Sequence, residues 1–298
     1  MISNWTAENI PDLTGKIAIV TGANSGIGYE MAQALARKKA RVILACRNKD
    51  KGKLAVQQID QDYPEASTEL MPLDLSDLAS IRHFAGEFAS HNNRLDILIN
   101  NAGIMATPFG KTTDGFELQF GTNHLGHFAL TGLLIDLILR TPQARVVTVS
   151  SVGHRFVEID FDNLNGEKGY NRQRTYAQSK LANLLFTYEL QRRFEGAGFD
   201  TIAVAAHPGW TATNLQVHWR IPRMLNPFIA QKPEMGALPT LYAATAPDVR
   251  GGDYYGPGGW QELRGYPAKV RSSDNSYDPA VAAKLWTMSE ELTGLRYL

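Results

Sequence analysis

The chain has 298 residues, 44% of them hydrophobic and 20% charged, with thirty basic residues against thirty acidic ones. A zero formal net charge excludes the excess of Lys and Arg on which nucleic-acid affinity mainly rests. A lone cysteine, Cys46, excludes an internal disulfide and a thiolate metal cage, and suits a reducing, cytoplasmic setting.

The opening stretch, MISNWTAENIPDLTGK, has neither a basic n-region nor an apolar h-region, so no secretory signal and no membrane anchor is expected. From Lys16 onward short β-branched runs alternate with longer helical-period stretches, the pattern of βαβ units around a parallel sheet. KIAIVT, RVILAC, the stretch ending in LMPLD, LDILIN, RVVTVS and TIAVAA read as six buried strands, because parallel strands covered on both faces are continuously apolar. Crossover helices are expected over Gly28 to Lys39, Lys49 to Asp62, Leu78 to His91, Phe116 to Leu139 and Tyr176 to Phe194. The expected fold is one α/β domain spanning 1–298, a Rossmann-like doubly wound parallel sheet with helices on both faces.

Two stretches break the rhythm. The polar run from Ser151 to Tyr176 reads as a surface excursion. Beyond His207, bulky residues including Trp210, Trp219, Met224 and Phe228 suggest a substrate lid near 210–235, with a packed satellite or subunit contact as the alternative. A C-terminal extension follows near 251–298.

Directly after the first strand stands Thr21-Gly22-Ala23-Asn24-Ser25-Gly26-Ile27-Gly28, opening a helix. Glycines there allow a tight turn and let a pyrophosphate approach free helix N–H groups. By itself such a cluster is equally a tight turn without a ligand, and its spacing is not G-x-G-x-x-G. The second strand ends in Cys46-Arg47-Asn48, where NAD binders usually place an acid for the ribose hydroxyls. A guanidinium instead grips a 2′-phosphate, so NADP is preferred, with NAD possible.

Asp74, ending the third strand, is placed either to accept from an adenine amino group or to cap the next helix. Asn100-Asn101-Ala102-Gly103 closes the fourth strand with turn formers that let a cofactor lie across the sheet edge. Asn123 falls inside a long apolar helix, where Asn is disfavoured and needs a partner such as a relay water. Ser150 and Ser151 follow the fifth strand. Tyr176 and Lys180 stand at i and i+4, one helical turn apart, where an ammonium would lower a phenol's pKa. His124, His127 and His207 have no carboxylate at helical ligand spacing, so no metal site is expected.

Taken in this order, the glycine loop, NNAG, Asn123, the serine after the fifth strand and Tyr-x-x-x-Lys resemble the short-chain dehydrogenase/reductase family over the chain from about Leu13 onward. FDNLNGEKGYNRQRTYAQSKLANLLFTYEL and Ala205 to Trp210 are similar to retinol dehydrogenases and their soluble bacterial relatives. The resemblance implies an NAD(P)-dependent oxidoreductase acting on a small hydrophobic carbonyl or alcohol. It makes Tyr176 the general acid/base, Lys180 its pKa-lowering partner and a ribose ligand, Ser151 rather than Ser150 the substrate-orienting hydroxyl, and Asn123 the support of a water chain.

For the cofactor the resemblance implies Gly22, Ser25, Gly26, Ile27, Gly28, Arg47, Asp74, Leu75, Asn101, Ala102 and Gly103 around the adenosine and pyrophosphate. Pro208, Gly209 and Thr211 would place the carboxamide, with Thr213 a rival for the last. A homodimer or homotetramer through the long helices starting near Phe116 and Tyr176 is a further implication. The alternative reading is a non-catalytic NADP-binding redox sensor or protein-interaction module; a metal-dependent hydrolase is the third.

Overall fold

The computed structural model describes residues 4–211 and 230–298. The expected lid falls largely on 212–229, and with it Thr213, outside the described residues.

Eight strands form one sheet in the order β3-β2-β1-β4-β5-β6-β7-β8. The first six are β1 (Ile17–Thr21), β2 (Arg41–Cys46), β3 (Ser67–Pro72), β4 (Ile97–Asn100), β5 (Arg145–Val149) and β6 (Ile202–Ala206). All six pair in parallel, with Ile19 opposite Ile43 on one side and Leu98 on the other. The chain leaves β1 for β2 on one side and returns to β4 on the other, so a crevice opens at the β1/β4 switch point, above the carboxyl ends of the strands. Two strands that the sequence pattern did not signal complete the sheet. β7 (Tyr254–Pro257) runs parallel to β6, and β8 (Pro267–Lys269) is antiparallel, so the sheet is parallel except at that edge.

Helices cover both faces. On one side α1 (Gly26–Arg37) and α2 (Lys49–Asp62) bury Met31, Leu35 and Ile59 against Val20, Val42 and Val204. The opposite face carries α3 (Leu78–His91), α4 (Gly126–Arg140) and α5 (Arg172–Gly196), which bury Phe84, Phe128 and Phe186 against Ile19, Leu98 and Val146. α6 (Pro233–Thr245) joins the first layer and α7 (Pro279–Thr293) the second. Among the described residues no helix is long and apolar enough to cross a membrane.

Helix starts follow their caps. Asn48 and Asp77 accept N–H groups from the first turns of α2 and α3, where the sequence pattern places both starts. α5 begins four residues before Tyr176 because the Asn171 side chain accepts from Gln173 N and Arg174 N at 3.1 and 3.0 Å. Tyr176 thus stands in its second turn and Lys180 in its third. The helix expected from Phe116 is divided into an α-turn (Leu118–Phe120), a π-helical stretch (Gly121–Leu125) and α4.

α7 and the C-terminal residues pack on α4 and α5. Phe128 and Phe186 pack with Trp286 of α7 and with Tyr297, whose hydroxyl donates to the Phe128 carbonyl at 3.0 Å. The Ser151-to-Tyr176 excursion adds Leu164, buried with Leu181, Leu185 and Leu285.

Candidate active site

β1 stops at Thr21, and the chain turns through Gly22 at φ +70°, a left-handed conformation natural to glycine. A Cβ on Gly22 would stand 3.0 Å from the Cα and Cβ of Ala102, and one on Gly28 would collide with the Gly22 carbonyl and lie 2.7 Å from the Asn101 amide. The loop therefore packs directly on the end of β4. Ser25 is the N-cap of α1 but makes no side-chain capping bond, which leaves the first amides of a helix facing the crevice.

Thr21 ties the two strand ends together. Its hydroxyl accepts from Asn101 N and Ala102 N, both at 2.9 Å, while Asn101 Nδ2 donates to the Thr21 carbonyl at 2.7 Å. The same hydroxyl lies 3.0 Å from His127 Nε2, and His127 Nδ1 lies 2.9 Å from the Asn123 carbonyl. Since a carbonyl only accepts, Nδ1 carries the ring proton and Nε2 is an acceptor for the Thr21 hydroxyl, whose other acceptor is the Ile99 carbonyl at 3.2 Å. Burial holds this imidazole neutral, with its pKa pushed down to about 4. The sequence weighs His127 only as a metal ligand and does not announce this link; its only signal is a polar residue one turn beyond Asn123.

Asn123 lies in the π-helical stretch, which accounts for an Asn at that depth, since such turns concentrate at functional sites. Its side chain is fully engaged: Oδ1 accepts from Ile104 N at 2.9 Å, and Nδ2 donates to the Ile104 carbonyl at 3.0 Å and to Ser179 Oγ at 2.9 Å. Asn123 thus pins the loop that follows β4. The missing Cβ of Gly103 would lie 3.2 Å from Asn123 Oδ1 and 3.5 Å from Lys180 Nζ, so these three residues converge.

Tyr176, Lys180 and Ser151 meet at the carboxyl edge. Lys180, 3% exposed, directs Nζ to the Val149 carbonyl at 3.0 Å and lies 6.0 Å from the centre of the Tyr176 ring. Burial pushes its pKa down to about 8. Burial pushes the Tyr176 phenol up to about 12, against the opposing effect of a hydrogen bond with Ser151. The ammonium expected to lower the phenol points instead at a backbone carbonyl, and only the Ser151 hydrogen bond opposes the effect of burial.

A cavity of about 650 Å³ opens beside them. Its wall includes Ile27, Asn101, Gly103, Ser150, Ser151, Tyr176, Lys180, Pro208, Gly209 and Thr211, and apolar cover comes from Met105, Val152, Val157 and Trp210. Gly22, Ser25, Gly26, Gly28 and Ala102 lie in the adjoining loop and strand end, while Asn123 stands behind Gly103 and Ile104.

Arg47 and Asp74, at the ends of β2 and β3, lie outside this wall. Arg47 is 70% exposed, with Nη1 3.9 Å from Asp74 Oδ2. Asp74 does not cap α3; Asp77 does, and Asp74 Oδ1 accepts from the Ser76 amide and hydroxyl at 2.9 and 2.6 Å. Leu75 is 6% exposed in the hydrophobic core, with its backbone where Gly126 of α4 allows close approach. No three His, Cys, Asp or Glu side chains among the described residues are grouped to hold a metal.

A family model described as short chain dehydrogenase matches residues 16–223. The chain is 40% identical to human (Homo sapiens) retinol dehydrogenase 11, covering 99% of this chain and 91% of that protein. With human retinol dehydrogenase 12 the identity is 42%, over 96% and 88% of the two chains. Among solved structures, an uncharacterized protein from Mycobacterium Paratuberculosis is 42% identical at a TM-score of 0.85, over 99% of this chain and 100% of that one. The Pseudomonas aeruginosa RhlG/NADP active-site complex is 25% identical at a TM-score of 0.65, over 82% and 94%. The sheet order, the glycine loop and these matches agree: the chain belongs to the short-chain dehydrogenase family, as an oxidoreductase with a nicotinamide-cofactor fold.

Proposed function

We propose that the protein is an NADP-dependent reductase or dehydrogenase of small hydrophobic carbonyls and alcohols, with Tyr176 as general acid/base. The observation that carries this reading is the meeting of Ser151, Tyr176 and Lys180 on the wall of one largely apolar cavity beside the glycine loop.

The chain's own features fit the cofactor. The Gly22 and Gly28 cradle and the uncapped start of α1 suit a pyrophosphate, Asn101 and Gly103 suit the ribose and ring beyond it, and Pro208, Gly209 and Thr211 suit the carboxamide. The exposed Arg47 guanidinium, 3.9 Å from the Asp74 carboxylate, favours a 2′-phosphate. That preference for NADP parallels the NADP named for the Pseudomonas relative. When bound, the reduced nicotinamide supplies hydride.

In carbonyl reduction Tyr176 gives its phenolic proton to the substrate oxygen, while Ser151 donates to the same oxygen and holds it in line. The phenolate left behind is stabilised by the Lys180 ammonium, which the Val149 carbonyl keeps in place. In alcohol oxidation the same residues run in reverse. The apolar wall excludes water and strengthens these interactions. A single buried cysteine accords with a cytoplasmic location.

The test is a panel of apolar aldehydes and ketones with NADPH and NADH, followed by cofactor oxidation and alcohol product. Turnover with NADPH supports the reading. Tight cofactor binding without oxidation across the panel points instead to the redox-sensor alternative.

A further inference from the structure

Three loops at the carboxyl edge converge on one carboxylate. Glu262 lies in the turn after β7, where Gln261 and Glu262 have φ of 49° and 58°, left-handed values that a residue with a Cβ rarely adopts. This turn directs the carboxylate inward, 21% exposed. Glu262 Oε2 lies 3.0 Å from Nε2 of His207, a residue with no exposure, and Oε1 and Oε2 accept from Arg155 Nη2 at 2.8 and 2.9 Å.

The imidazole has one consistent tautomer. Gly209 N donates to His207 Nδ1 at 3.2 Å, so Nδ1 is the acceptor; Nε2 carries the proton and gives it to Glu262. Burial lowers the His207 pKa, against the pull of Glu262, and the ring stays neutral. His207 thereby fixes the Pro208-Gly209 turn, whose Gly209 has φ +62° and whose missing Cβ would come within 2.9 Å of the Glu262 carbonyl. Trp210 N then donates to the Leu263 carbonyl at 2.8 Å. Arg155 sits four residues after Ser151 in the 3₁₀ turn that Ser151 begins. One carboxylate thus holds the loop carrying Ser151 and the loop carrying Pro208 and Gly209, two walls of the same cavity.

We propose that Glu262 is a positioning residue for hydride transfer: through Arg155 and His207 it sets the spacing between the substrate-orienting serine and the turn facing the nicotinamide site. The inference rests on the reductase reading above. The backbone strain at Gln261 and Glu262 is maintained because the carboxylate is needed at this point rather than in solvent.

The test compares Glu262→Ala and Glu262→Gln with the unaltered protein, using NADPH with an apolar aldehyde that the unaltered protein reduces. Glu262→Ala should lower kcat at least tenfold while NADPH binding changes less than threefold, because the glycine loop and Arg47 lie at the far end of the crevice. Glu262→Gln keeps one carbonyl oxygen for His207 and should recover part of that kcat. A parallel hydrogen-exchange measurement needs no substrate: Gly209 and Trp210 amides should lose at least tenfold protection in Glu262→Ala. Equal kcat per folded molecule, or unchanged protection at both amides, overturns the positioning role. If Glu262→Ala does not fold, the same two criteria apply to Glu262→Gln. Should no aldehyde be reduced by the unaltered protein, the reductase reading fails, and the exchange data alone decide whether Glu262 sets these loops.

Discussion

Ser150 donates its hydroxyl to the backbone carbonyl of Lys180 at 2.8 Å. With Lys180 Nζ on the carbonyl of Val149, the lysine is fastened to the end of β5 at both its backbone and its ammonium. Both serines line the cavity, but the Ser150 hydroxyl donates to this anchor, whereas the Ser151 hydroxyl bonds the Tyr176 phenol. Adjacent serines in one dipeptide therefore do different jobs. Ser151→Ala should lower kcat by roughly 100-fold, the scale of one lost oxyanion donor. Ser150→Ala should cost about 1 kcal/mol of stability and leave kcat within a few-fold. Steady-state kinetics and denaturant melts on both variants check this, and equal kinetic losses would merge the two roles.

Replacing Tyr176 by Phe removes one oxygen and keeps the ring. Turnover of a verified substrate should fall at least ~100-fold, as for a lost general acid/base. Cofactor affinity, measured by fluorescence titration, should stay close to that of the unaltered protein. Sustained turnover would remove Tyr176 from the chemistry.

Arg47→Asp replaces an exposed guanidinium with a repelling charge. NADPH binding should weaken by about 10- to 100-fold, the range for hydrogen bonds to charged groups, while NADH binding changes little. Titration of both cofactors decides it; equal losses would leave no basis for the NADP preference.

The pH profile carries a sign. Lys180, pushed down to about 8 by burial, loses its charge as pH rises through that value in the free protein. Tyr176, pushed up to about 12, remains protonated throughout that range. The kcat/KM for carbonyl reduction should therefore be flat below about 7 and decline above about 8, as the ammonium that stabilises phenolate is lost. A profile that rises through this window would reject the assignment to Lys180.

Trp286, 2% exposed, fills the space among Phe128, Phe186 and Tyr297. Trp286→Ala should cost about 3–5 kcal/mol. Denaturant melts of the two proteins check this, and a loss below about 1 kcal/mol would show that the indole is not part of the packed core.

The sequence carries five of the six parallel strands plainly, because strands covered on both faces leave apolar runs such as Val42 to Leu44; β3, expected to be buried, lies instead at the sheet edge with none of its residues buried. β7 and β8 escape the same reading: Tyr254–Pro257 and Pro267–Lys269 are short and punctuated by Gly and Pro, and only pairing, of β7 with β6 and of β8 with β7, makes them strands. The Tyr176 and Lys180 relationship is legible because it is local, one helical turn. Asp77 rather than Asp74 as the cap of α3 is a choice between neighbouring acids that backbone geometry alone resolves. Links such as His127 to Thr21 and Glu262 to His207 join residues 106 and 55 positions apart, and no local pattern announces them.

The π-helical stretch at Gly121–Leu125 has an outcome for how this chain tolerates change. It takes up one residue more than regular winding, so the helix can aim Asn123 at the crevice and still present Phe128 and Leu134 to the sheet. Deleting a single amino acid there would leave regular α winding with the flanking turns in register, but would turn the residues inside the stretch, Asn123 among them, by up to roughly 100° about the axis. Length, more than composition, is what this stretch must preserve.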